Sequence, residues 1–176
     1  FKGLRFRSPG LSGEMYRRMG AAVVQLPGGE IFQALQAGTI DAAEFIGPWS
    51  DSALGFHQVA KYYYWPGVQE PASAEECVIN KEKWDALSPE LKQVIEVACA
   101  ATYAYSTAEY VVRNPIALRN LVEKHGVQVK QAPEDVLIAA GNAAGEIMAE
   151  LLEDSDPLVK KIANAYVEFR KTAMEN

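Results

Sequence analysis

The sequence predicts an α/β fold with parallel strands, and three observations carry that expectation. Strand-like and helix-like stretches alternate through the first third of the chain with short connections. The second half is almost entirely helical in its spacing of apolar residues. A lone glutamate, Glu44, closes the third strand just before a Gly-Pro break, where open α/β sheets present their ligands.

The elements follow in order. LRFR (4–7) reads as a short strand closed by Pro9-Gly10, and GEMYRRMG (13–20) as a helix capped by Gly20. AAVVQLP (21–27) is a second strand, ended by Pro27-Gly28-Gly29. EIFQALQAG (30–38) is a helix whose Ile31, Ala34 and Leu35 fall on one face. AAEFIG (42–47) is the third strand. Alternation with connections this short calls for parallel strands and right-handed crossovers.

Beyond the Gly47-Pro48 break, SDSALGFHQVA (50–60) has helical spacing, and YYYWPG (62–67) packs four aromatics before a turn. EECVIN (75–80) reads as a strong strand, with a short helix over 81–87 after it. Ser88-Pro89-Glu90 is a helix start: a serine cap, proline at the first position and an acid at the positive end. That helix is expected to reach Arg113 and to kink or break at Pro115. It resumes through His125 to Gly126, and VQVKQ (127–131) alternates as one more strand. Pro133 opens a helix to about Glu153. After DSDP (154–157), Leu158, Ile162, Ala165, Phe169 and Ala173 form the stripe of a final amphipathic helix that needs a partner surface.

The 176 residues, 49% hydrophobic and 23% charged, suit an ordinary globular chain, and no apolar run approaches the roughly 20 residues that span a bilayer. The chain opens FKGLRF without an initiator methionine or signal peptide, so it reads as a processed chain or part of a longer one. A net charge of −6 argues against nucleic acid or an anionic membrane as partner. The charges are segregated: residues 1–20 hold Lys2, Arg5, Arg7, Arg17 and Arg18 against Glu14, whereas residues 21–60 hold Glu30, Asp41, Glu44 and Asp51 and no lysine or arginine. A basic edge beside an acidic one suits an anion together with a cation, although solvated surface charge gives the same pattern. Cys77, Cys99, His57 and His125 lack metal-ligand spacing, and no HExxH or GxSxG motif occurs. Both cysteines are expected to be small buried hydrophobes rather than a disulfide. His57 is expected at a surface or a helix cap, and Gly28-Gly29 is a turn into a helix rather than a phosphate loop.

Glu44, in DAAEFIGPWSD (41–51), therefore poses the question of what balances its charge. Burying an unpaired carboxylate costs several kcal/mol or raises its pKa. A distant arginine, a bound cation and water are the open answers. One reading is a salt bridge with Arg7 and nothing more. Another is an acid/base pair of Glu44 and Glu70, as in a hydrolase, but no nucleophile or oxyanion donor accompanies it.

Together, KGLRFRSPG, LPGGEIFQALQAGTIDAAEFIGPWSD and YYYWPGVQEP resemble the C-terminal part of a substrate-binding protein of a tripartite ATP-independent periplasmic (TRAP) transporter. The similarity is to the branch that binds α-keto acids, and it covers the whole chain. It implies a periplasmic binding protein-like α/β fold: parallel-stranded lobes, crossing hinge strands and long C-terminal helices, of which this chain would be about half. Residues 1–43 and 83–176 would belong to the second lobe, and 44–82 would be an excursion into the first. Arg7, in the Arg-x-Pro motif, would grip a ligand carboxylate. Glu44, the main-chain carbonyl of Phe45 and Glu70 would ligate a sodium or calcium ion bridging to the ligand, an oxygen donor set suited to a hard cation. Trp49 would line the ligand cleft, unless it and Tyr62–Trp65 are simply core. Phe45 departs from the tryptophan common in this branch, which would reshape the pocket yet spare a backbone ligand.

The function implied is an extracytoplasmic, periplasmic binding protein and not an enzyme. It would capture a small α-keto or α-hydroxy acid with its cation and deliver it to TRAP membrane subunits. A ligand-sensing domain of the same fold is the alternative. The aromatics of 44–82 and the final helical stripe further imply a homodimer or association with the missing N-terminal half.

Overall fold

A computed structural model describes residues 1–69 and 76–174. The chain forms two compact units. One comprises Phe1–Phe45, Tyr64–Gln69 and Lys130–Asn176; the other comprises Ile46–Tyr63 and Glu70–Val129. These units do not follow the 1–43, 44–82 and 83–176 division, which refers to the lobes of a longer protein and stays a proposal.

The first unit is the α/β one. Strands β1 (Arg5–Arg7), β2 (Ala22–Val24) and β3 (Ala42–Ala43) form a parallel sheet in the order β2-β1-β3. The register sets Phe6 beside Val23 and Ala42, and Arg7 beside Val24 and Ala43. The strands are shorter than the apolar runs suggest. β1 ends at Arg7, so β3 has no ladder partner beyond Ala43, and the run through Ile46 leaves the sheet. Helix α1 (Gly10–Arg18) lies between β1 and β2, and α2 (Ile31–Gln36) between β2 and β3. Gly20 takes φ +96°, the left-handed conformation that glycine alone adopts freely where a helix turns back into a strand.

The core of this unit joins Phe6, Met15, Tyr16 and Ala21 to Ala140, Ala143 and Ile147 of α6 (Glu134–Leu152). Phe6 and Tyr16 stack with ring centroids 4.3 Å apart. At the edge, Arg18 donates to Glu14 at 3.2 Å and to Glu150 at 2.6 Å, tying α1 to α6. The last helix, α7 (Pro157–Met174), keeps Leu158, Ile162, Tyr166 and Phe169 exposed.

The second unit is built on α5 (Pro89–Glu123), capped as expected by Ser88, whose Oγ accepts the Leu91 N–H at 3.3 Å. The expected break does not occur: α5 runs unbroken through Pro115. Proline removes one hydrogen bond from a 35-residue ladder, and helix α3 (Pro48–Ala53) grips the same stretch. Trp49 N–H donates to Asn114 Oδ1 at 3.1 Å, and the hydroxyls of Ser50 and Tyr110 meet at 3.1 Å. The helix expected over 50–60 is instead α3 plus a 3-10 turn at Phe56–Gln58, divided at Gly55.

Residues 76–80, expected to be part of a strand, have no regular structure and join no sheet among the described residues, and Val78 is 85% exposed; Glu75 lies outside the described residues. A strand exists only where a neighbour completes its ladder, and sequence composition cannot supply one. The short helix α4 (Lys81–Asp85) follows, capped by Asn80. Two further strands, β4 (Tyr62–Tyr64) and β5 (Gln128–Lys130), pair with each other and carry the chain from one unit into the other.

Both cysteines are exposed and free, which corrects the expectation of burial: α5 turns only Ala117 and Leu121 fully inward, so its alanine-rich face around Cys99 stays open. His57 is likewise not a plain surface residue. It is half-buried, its ring lies tilted against His125 with centroids 4.0 Å apart, and its buried Nδ1 has no hydrogen-bond partner among the described residues.

Candidate ligand site at the strand ends

The site is assembled by the register of β1 against β3. Side chains two apart on a strand share a face, so Arg5 and Arg7 flank Phe6 on one side of the sheet. The acids Asp41 and Glu44 flank the two residues of β3. Each acid meets one arginine. At the exposed end, Arg5 donates to Asp41 from its backbone N–H at 2.9 Å and from Nε at 3.0 Å, holding the Asp41 carboxyl down at about 2. At the carboxyl end, Arg7 and Glu44 are both 8% exposed.

Arg7 is held on three sides. Its Nη1 donates to Glu44 Oε1 at 2.9 Å and to the Glu44 carbonyl at 2.9 Å, and its Nε donates to the Leu26 carbonyl at 3.0 Å. The Glu44 backbone N–H returns a bond to the Arg7 carbonyl at 3.0 Å. The Phe45 ring lies over the guanidinium, 5.9 Å to its centroid. It rests on Gly28, where an added Cβ would come within 2.6 Å of Phe45 Cε2. Glycine is thus required here by contact, a role that its reading as a turn residue did not reveal. Among the described residues Nη2 makes no hydrogen bond, so this end of the fork can take a further acceptor.

Tyr16 belongs to this neighbourhood and escaped sequence reading. Its hydroxyl donates to Gln69 Oε1 at 3.2 Å, and burial, with the Glu44 charge nearby, pushes its pKa up to about 12. Its helical position announced only a core aromatic.

The structure therefore brings together Arg7, Glu44 and Phe45. Trp49 belongs to the other unit, where its ring meets Tyr110 edge-on at 5.1 Å and the Arg113 guanidinium at 4.8 Å. Glu70 lies outside the described residues. Among those described, no group of three histidine, cysteine or acidic side chains could hold a metal ion by itself. The Glu44 carboxylate and carbonyl are oxygen donors, the type that hard cations such as sodium and calcium prefer.

A second buried carboxylate, Asp51, also went unread. It accepts the N–H groups of Ile46 (3.3 Å) and Gly47 (3.2 Å) and the Tyr63 hydroxyl (2.6 Å), fixing the turn that ends the DAAEFIG run.

The parallel strands thus end on a buried arginine beside a buried acid, and comparison with known proteins places the chain in a family. Residues 1–155 match the bacterial extracellular solute-binding proteins of family 7, and the chain belongs to that family. It is 34% identical over 170 residues to a monocarboxylate 2-oxoacid-binding periplasmic protein of Nostoc sp., covering 97% of this chain and 46% of that protein. Among solved structures, a TRAP transporter solute-binding protein of Bordetella bronchiseptica aligns with a TM-score of 0.90 at 36% identity, over 99% of this chain and 51% of that one. It is described as a mixed-occupancy dimer with copurified calcium and picolinate in one active site. A TRAP periplasmic solute-binding protein of Pseudoalteromonas atlantica, with bound sodium and pyruvate, aligns with a TM-score of 0.84 at 32% identity, over 99% and 53%. The chain thus spans about half the length of the relatives it matches. The expected periplasmic binding protein-like α/β fold is borne out.

Proposed function

We propose that the protein carrying this chain is the periplasmic binding component of a TRAP transporter, and not an enzyme. It captures a small 2-oxo or 2-hydroxy acid together with a sodium or calcium ion. The observation that supports this reading best is the buried Arg7–Glu44 pair at the strand ends, with Arg7 Nη2 making no hydrogen bond among the described residues. Nε and Nη1 are already committed, so the ligand carboxylate is met end-on through Nη2 rather than by the full fork.

On this reading Glu44, the Phe45 carbonyl and Glu70 hold the cation, which offsets the acids and draws the keto and carboxylate oxygens of the ligand to one side. Phe45 and Trp49 supply apolar walls. The relatives support the ligand class, since one is named for 2-oxoacids and two contain small carboxylates with sodium or calcium. Delivery is to the TRAP membrane subunits. The exposed stripe of α7 serves association between copies, as the dimeric relative suggests, or cover by the N-terminal half of the longer protein.

Calorimetry of pyruvate against the full-length protein, with and without sodium or calcium, tests the reading. Pyruvate should bind without turnover, and each of cation and acid should raise the other's affinity by the same factor. Glu44→Gln should weaken the cation first and the acid through it. Pyruvate affinity indifferent to both ions would overturn the bridged site.

A further inference from the structure

His57 lies in the 3-10 turn Phe56–Gln58, and His125 follows the C-terminal end of α5; both belong to the second unit. Separate elements thus bring the chain's two histidines together, with ring centroids 4.0 Å apart and the ring planes tilted by 35°. His57 Nδ1 is buried without a hydrogen-bond partner among the described residues. An unpaired buried ring nitrogen is costly, and such an atom calls for a partner. Both imidazoles line a cavity of about 370 Å³ together with Trp49, Ser52, Arg113 and Asn120. Burial, and after it the His125 charge, lower the His57 pKa, so this ring is neutral at pH 7 and has a lone pair to give.

We propose that His57 and His125 bind one divalent metal ion of the kind that prefers imidazole, copper(II) before nickel(II) or zinc, at the wall of this cavity. Imidazole suits all three ions, and copper leads their order of affinity. Metal–nitrogen bonds of about 2.0–2.1 Å hold two neighbouring imidazoles with centroids ~4.5–5 Å apart, so the rings need open only slightly from their 4.0 Å separation. Among the described residues no third histidine, cysteine or acidic side chain completes a metal-binding group. Water fills the remaining positions, which leaves the ion open to exchange. The Arg113 charge on the same wall is paired with Glu109, which limits its repulsion of the ion. Arg7 and Glu44 belong to the other unit and neither is a ligand here, so this pair stands apart from the oxoacid reading.

The test is calorimetric titration of copper(II) into the full-length protein and into its H57Q and H125Q variants, with pulsed EPR of the equimolar complexes. The parent should bind copper saturably and show two imidazole nitrogens on the ion. Each variant should show one at most and bind at least about tenfold more weakly, since even an outer-shell partner is worth roughly 10–100-fold in metal affinity. H125Q changes an exposed position and should fold as the parent does, so it decides the matter alone if H57Q is unstable. Copper held as tightly by either folded variant as by the parent would overturn the proposal. So would a parent that shows no saturable copper binding.

Discussion

Among the described residues each unit buries one carboxylate, and the two are balanced differently. Glu44 in the first unit is 8% exposed and faces a guanidinium; Asp51 in the second is 7% exposed and, among the described residues, meets neutral donors. Neutral donors offset part of the desolvation but leave the charge in place, so burial still raises the Asp51 pKa, with Tyr63 and the Gly47 and Ile46 amides opposing it. A cation beside Glu44 allows a second anion to approach, whereas a ring of neutral donors around Asp51 only stabilises a turn. On the proposed reading, the contrast separates a residue that serves a ligand from one that serves the fold.

The largest expected effect follows from removing the cation. Arg7→Ala takes the guanidinium away from the buried Glu44 carboxylate, a loss of about 3–5 kcal/mol in comparable buried pairs. Denaturant unfolding should show that fall, and calorimetry with pyruvate should show binding weakened by about thirty- to several-thousand-fold. Arg7→Lys should recover part of the stability but little of the binding, since a point charge cannot reach the Glu44 and Leu26 oxygens and a ligand together. An alanine variant as stable and as tightly binding as the parent would erase the distinction drawn between the two carboxylates.

Tyr63→Phe probes the other side and should cost less, about 1–3 kcal/mol, the range for leaving a buried acceptor short of a donor. The sign with pH is fixed by the raised Asp51 pKa. A group raised in the fold contributes most below its unfolded value of 3.8, and that contribution is lost as pH rises through the folded value. Tyr63 supports the ionised form, so the gap between parent and variant should be small where Asp51 is protonated and widen as pH increases. A gap constant across the acid range would mean that Tyr63 acts by packing alone.

Much of this contrast was legible in the sequence on one side and hidden on the other. Glu44 stood out because no lysine or arginine lies between Arg18 and Lys61, and the short LRFR run put Arg7 at a strand end just before Pro9-Gly10. The parallel sheet, the Ser88 cap and the later helices follow from local patterns that tertiary packing did not override. Asp51 was hidden because its three partners, two amides and a tyrosine twelve residues on, leave no charge pattern. The same limit explains residues 76–80 and Pro115. A β-rich run does not say whether a neighbour will pair with it, and a proline does not say whether another helix will clasp the turn around it. The cysteines and His57 were misplaced because helical spacing reveals a face, not what covers it.

The smallest effect is expected at a second arginine, which sharpens the role of burial. Arg113 is half-exposed on α5, where it pairs with Glu109 one turn earlier and lies 4.8 Å from the Trp49 ring. In kind these contacts match those of Arg7: a carboxylate partner and an aromatic face. What differs is water, which screens the pair and solvates whichever partner remains. Arg113→Ala should therefore leave the melting curve close to the parent's, with Trp49 still held through its N–H to Asn114 and its edge on Tyr110. The acid limb should show the only consistent change. The Arg113 side chain holds the Glu109 carboxyl below its ordinary value. That contribution is full above the ordinary value of 4.5 and is lost as pH falls through the depressed one, so parent and variant should converge at low pH. Thermal melts from neutral to acid pH decide it. A loss at Arg113 as large as that at Arg7 would show that ion pairing itself, rather than its removal from water, sets the strength of the Arg7–Glu44 site.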